Sequence, residues 1–123
     1  MNEAPVEIRL RRQSRVLEIA FEAGERYALP FEFLRVNSPS AEVKGHGPGQ
    51  ETLVLGKQSV MVTAVEPVGQ YAVRLIFDDG HDSGLYSWKY LRELGKDQDA
   101  LWKQYLARVG AATAKGQEQK DRD

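Results

Sequence analysis

Through most of this chain apolar and polar residues alternate in short runs that stop at glycine, proline or an Asp-Gly pair, and only near the C-terminus does the spacing change to threes and fours. Alternation sends successive side chains to opposite faces of a strand, whereas three-and-four spacing lines one side of a helix. The order restricts the chain to strands first and helices last. Val6, Ile8 and Leu10 alternate with Glu7, Arg9 and Arg11; Gln13-Ser14 interrupts; Leu17, Ile19 and Phe21 then alternate with Glu18 and Ala20. This predicts an antiparallel hairpin with Arg9 and Arg11 on its solvated face. Gly24 breaks the pattern, and Tyr27 and Leu29 mark a third short strand ended by Pro30, which has no N–H to pair.

The segment from Pro30 to Ser40 is apolar and then abruptly polar, and it runs into Lys44-Gly45-His46-Gly47-Pro48-Gly49-Gln50. Three glycines and a proline forbid regular structure there, so residues 37 to 50 read as a long loop, a feature that is usually functional or disordered. The stretch lacks the Gly-Lys-Ser/Thr ending of a phosphate loop. Alternation resumes at Ser59, passes through Tyr71, Val73, Leu75 and Phe77 as the centre of the sheet, turns at Asp78-Asp79-Gly80 and returns from His81 to Tyr86. Ser87 is placed to cap a helix that carries Trp88, Leu91 and Leu94 until Gly95 stops it. A second helix starts near Asp97 or Asp99 with Trp102, Tyr105 and Val109 on its inner side. After Gly110 no large apolar residue follows, which predicts a domain over 1–110 and a disordered tail over 111–123. The expected fold is α+β: a small, mainly antiparallel β-sheet covered by one or two C-terminal α-helices.

Charge and composition remove several function classes. Against 18 acidic residues the 17 Lys and Arg leave a net charge of -1, too little to steer the chain to nucleic acid. With no cysteine there is no disulfide, no thiolate metal site and no thiol nucleophile. The N-terminal residues lack the order of a signal peptide and no apolar run is long enough to span a bilayer, so a cytoplasmic location without membrane contact is expected.

Three motifs occur in order: Leu34-Arg35-Val36-Asn37-Ser38-Pro39-Ser40, then Pro67-Val68-Gly69-Gln70-Tyr71-Ala72-Val73, then the run from Phe77 through Asp78-Asp79-Gly80-His81-Asp82-Ser83-Gly84 to Leu91. Together they resemble the DUF971 family, the domain that also forms the N-terminal part of gamma-butyrobetaine and trimethyllysine dioxygenases. The resemblance covers residues 5 to 95. In the eukaryotic dioxygenases it implies a small zinc module with three cysteines and one histidine as ligands. Those cysteine positions fall here on Ser38, Ser40 and Val43, and the histidine position on His81. Hydroxyls are poor zinc ligands beside thiolates and valine is none, so the scaffold carries over and the tetrahedral site does not. Related domains fused to iron–sulfur carrier ATPases imply an accessory role near iron or iron–sulfur metabolism, with an iron–sulfur carrier or an iron enzyme as partner.

No iron triad is available from His46 and His81, since neither opens a His-x-Asp/Glu pair, and 123 residues leave no room for a catalytic barrel beside this module. The chain is therefore expected not to be an enzyme. Asp79, His81 and Asp82, with His46 swung over from the loop, form the alternative of a zinc or iron site whose ligands have shifted to histidine and carboxylate. Polar residues at an Asp-Gly turn are also what any solvated hairpin requires. Arg35, Asn37, Tyr86 and Trp88 are the candidate binding surface, with Arg35 and Asn37 better suited to capping or bracing the loop than to touching a partner. An enzyme acting on a small amine or acid would need a deep pocket near Tyr86 and Trp88, and an unpaired sheet edge would suit a homodimer.

Overall fold

The computed structural model describes residues 4–44 and 53–121, apart from the side chains at 42 and 114–121. Strands β1 (Glu7–Arg11), β2 (Val16–Ala20) and β3 (Arg26–Pro30) form one antiparallel sheet. The pairing sets Ile8 opposite Ile19 and Leu10 opposite Leu17, with Leu17 in turn opposite Leu29, so that one face is apolar throughout. On the other face Arg9 pairs with Glu7 and Arg11 with Glu18, the solvated arrangement that alternation predicts.

Pro30 ends β3 and, with φ of -59°, leads directly into α1 (Phe31–Val36). Proline's fixed φ suits the entry to a helix, and the Phe31 amide donates to the Arg15 carbonyl. Phe31, Phe33, Leu34 and Val36 are all buried, so this helix of six residues is held by packing and not by its aromatic and β-branched sequence. A single turn, α2 (Ala41–Lys44), follows within the segment expected to be loop throughout. The remainder of that segment, with His46, lies outside the described residues.

Strands β4 (Val62–Val68), β5 (Ala72–Phe77) and β6 (Leu85–Ser87) make a second antiparallel sheet with β5 in the middle. The fold is α+β as expected, with the six strands among the described residues divided into two sheets instead of one. Val73, Leu75 and Phe77 point into the core; Tyr71, expected on the same face, precedes the strand and is 73% exposed. The return strand is shorter than expected, since His81 lies in the seven-residue connection and only Leu85–Ser87 pair with β5.

Ser87 caps α3 (Trp88–Lys96) by accepting from the Tyr90 amide at 3.0 Å. Gly95 does not stop this helix, which ends at Asp97; the glycine sits inside it because the Tyr27 ring lies where a Cβ would be. Helix α4 (Gln98–Asp121) runs on past Gly110, where the sequence reading expects a tail; with Ala111, Ala112 and Ala114, among the best helix formers, just beyond it, one glycine is tolerated. Its Trp102 packs edge-on against Phe33 at 6.3 Å and stacks on Tyr105 at 5.1 Å. The inner faces of both sheets, α1 and α3 share one core built on Leu17, Ile19, Leu29, Leu75, Tyr86 and Leu91.

Candidate functional site

Two segments that are far apart in sequence meet at the end of α1. On one side, Asn37 closes the helix: its Nδ2 donates to the Phe33 carbonyl at 2.9 Å, and its own carbonyl accepts from the Tyr90 hydroxyl at 2.6 Å. Ser38-Pro39-Ser40 then crosses the interior, with Ser38 fully buried and Ser40 nearly so. The Ser40 carbonyl accepts from the Val43 and Lys44 amides, which forms the α2 turn and places buried Val43 one turn beyond Ser40.

On the other side, the chain leaving β5 reverses at Asp78-Asp79-Gly80, where Gly80 takes φ of +90°, a backbone state that glycine adopts without strain. The Phe77 amide donates to the His81 carbonyl and the His81 amide to Asp79 Oδ1, which turns the imidazole inward until His81 is 5% exposed. His81 Nε2 is hydrogen-bonded to Ser38 Oγ at 2.8 Å, and Ser40 Oγ lies 3.5 Å from the same nitrogen. The phenol of Tyr86 donates to the Leu34 carbonyl at 2.5 Å. Burial pushes the Tyr86 phenol far above its ordinary range, so it stays a neutral donor at every physiological pH.

Beside this cluster lies a second network. Asp79 Oδ2 accepts from Arg35 at 2.8 Å and from Lys57 at 2.7 Å. Burial by itself would raise the Asp79 carboxyl, but the bonds from Lys57, Arg35 and the His81 amide outweigh it and hold it at about 2. Arg35 is largely buried, and its Nη1 has no hydrogen-bond partner among the described residues.

The residue types decide what this arrangement can do. Ser38, Ser40 and His81, three of the four positions at which the resemblance implies zinc ligands, do come together, and Val43 is buried close by in sequence. Two hydroxyls, an imidazole nitrogen already bonded to a hydroxyl and an alkyl side chain do not suit zinc, and the positive charge of Arg35 alongside further disfavours a cation. The shifted set fares no better. Asp79 is neutralised by two cations, Asp82 is exposed and its charge acts on Arg74, and among the described residues no three histidine, aspartate or glutamate side chains converge. Ser38 and His81 have the spacing of a nucleophile and its base, but neither is open to a substrate.

The candidate binding surface is mostly interior. Tyr86 is 0% exposed, because its ring fills the core. Arg35 and Asn37 turn inward to brace the loop, and half-buried Trp88 donates from Nε1 to the Gln70 carbonyl at 2.8 Å. Sequence reasoning missed Tyr90, Lys57 and Gly84, whose partners lie far along the chain; the glycine inside Ser83-Gly84-Leu85 was the one local signal of a close approach. Clefts lined by described residues occur elsewhere, one of about 350 Å³ along Arg9 to Ser14 and one of about 260 Å³ between Phe33 and Trp102.

Known proteins place these features in context. The model of the family described as gamma-butyrobetaine hydroxylase-like, N-terminal, matches residues 8–92. Two structures determined in solution by NMR are similar at 53% and 50% identity, each over 89% of this chain and over 82% and 86% of their own, both with a TM-score of 0.77. A crystal structure of a protein with unknown function from Acidithiobacillus ferrooxidans, which belongs to the DUF971 family, is 42% identical over 76% of this chain and 94% of its own, with a TM-score of 0.64. Among curated proteins none matches.

Proposed function

Because this chain belongs to the gamma-butyrobetaine hydroxylase-like N-terminal domain family, we propose that it is a non-catalytic accessory module that works by binding another protein, with an iron–sulfur carrier or an iron enzyme as the partner class. The observation that carries this reading is the burial of the Ser38–His81–Tyr86 cluster. The residues with the most chemical capability are spent on holding two segments together, which leaves the exterior to do the work. Proton transfer and nucleophilic attack both need a group within reach of the substrate, and here that group is sealed.

Part of the exterior is suited to contact. The outer face of the second sheet carries Val68 and Leu85, 40% and 49% exposed, around the Arg74–Glu66 ion pair, and exposed Tyr71 belongs to the turn between β4 and β5. Exposed aromatic and aliphatic side chains around a paired charge are the usual composition of a modest protein interface. No helix of the described residues is long and apolar enough to cross a membrane.

The test is capture of a purified iron–sulfur carrier by the chain, compared with a Tyr71→Ser/Leu85→Lys variant. Retention by the parent and its loss in the variant, at unchanged melting temperature, is the expected result. Equal retention by both moves the interface elsewhere; no retention by either removes the carrier as partner, and the same comparison with an iron enzyme then decides the other. Self-association, read by sedimentation, is the competing use of the same face.

A further inference from the structure

The zinc implied by the family and the cluster in this chain disagree. His81 Nε2, the nitrogen facing both serines, is hydrogen-bonded to Ser38 Oγ at 2.8 Å with Ser40 Oγ at 3.5 Å. Ser38 Oγ also accepts from the Ser40 amide at 3.4 Å, and the Tyr86 phenol donates to the Leu34 carbonyl.

We infer that a buried hydrogen-bonded cluster, His81 Nε2 with Ser38 and Ser40 and the Tyr86 phenol on the Leu34 carbonyl, replaces a metal as the cross-link between the α1–α2 segment and the β5–β6 connection, so that this chain holds its shape independently of metal supply and of thiol oxidation. The two segments joined are 43 positions apart, the kind of long-range tie that a structural metal supplies in small domains. Ser38, Ser40, His81 and Tyr86 are all buried and each has a hydrogen-bond partner, the condition under which a buried polar network specifies one arrangement. The chain has no cysteine, so neither chelator nor oxidant has a ligand to remove. This inference concerns the fold and stands whether or not a partner is captured.

The cluster makes two separable demands. In nitrogen NMR of the full chain the His81 Nε2 resonance should move in Ser38→Ala; an unmoved resonance overturns the cross-link. Purified chain should contain less than about a tenth of an equivalent of metal and melt at the same temperature with chelator, with added zinc and after mild peroxide. Near-stoichiometric metal that disappears in His81→Ala would overturn the inference. The converse experiment installs the missing ligands: Ser38→Cys/Ser40→Cys/Val43→Cys should take up about one zinc ion per chain and acquire a chelator-sensitive melting temperature. A folded triple variant that binds no zinc would show that the cluster does not occupy a metal's place. Should the triple variant not fold, Ser38→Cys/Ser40→Cys titrated with cobalt(II) answers the same question, a thiolate charge-transfer band supporting the inference and its absence overturning it.

Discussion

At Gly84 the backbone of the β5–β6 connection runs so close to Ser38 that an added Cβ would sit 2.5 Å from Ser38 Oγ and 3.1 Å from the Tyr86 ring. Gly84→Ala should therefore cost about 1–3 kcal/mol in urea unfolding, and the cost should shrink in a Ser38→Ala background where the clashing oxygen is gone. Asp79 makes a prediction of a different kind. Its folded pKa of about 2 lies below the ordinary 3.8, so its contribution is present above the higher value and is lost as pH falls toward the lower one. Urea midpoints of the parent should decline across that window, whereas Asp79→Asn should decline less there and be less stable near neutrality by on the order of 2 kcal/mol. Neither effect is written in the local sequence. Asp78-Asp79-Gly80 reads as a turn and is one, but its second aspartate is also the anchor for Arg35 and Lys57.

Among the elements, α3 shows how a local signal can be correct in kind and mistaken in cause. Ser87 caps it as the sequence indicates, and Leu91 and Leu94 face the core at the expected spacing. Gly95 looks like a terminator because glycine so often follows a last helical turn. Its role is to admit the Tyr27 ring, which is itself pinned by the Tyr27 hydroxyl donating to Glu25 at 2.6 Å. Helix propensity alone predicts that Gly95→Ala gains about 1 kcal/mol. The expected outcome is a loss, read as a lower urea midpoint, with the sign reversing in a Tyr27→Leu background. The six-residue helix α1 gave no periodic signal at all, since four of its residues are buried on different sides.

For the whole molecule, two sheets and two helices share one core, and beyond Tyr105 no buried side chain occurs in α4 among the described residues. A chain ending at residue 110 should accordingly melt within a few degrees of the full chain, a prediction that a calorimetric comparison decides. The sequence by itself determined which segments are strands, which faces of β1, β2 and β5 point inward, where α3 begins, and which positions stand where the family's ligands would be. These follow from side-chain periodicity, turn chemistry and motif order, all of which are local or strictly ordered along the chain. Only the tertiary structure decided that the strands divide between two sheets around α1, that Tyr86 is core and not surface, and that Ser38, Ser40 and His81 close on one another through hydrogen bonds. Contacts between segments so far apart depend on how the intervening elements pack, and packing leaves no period in the residues that make it.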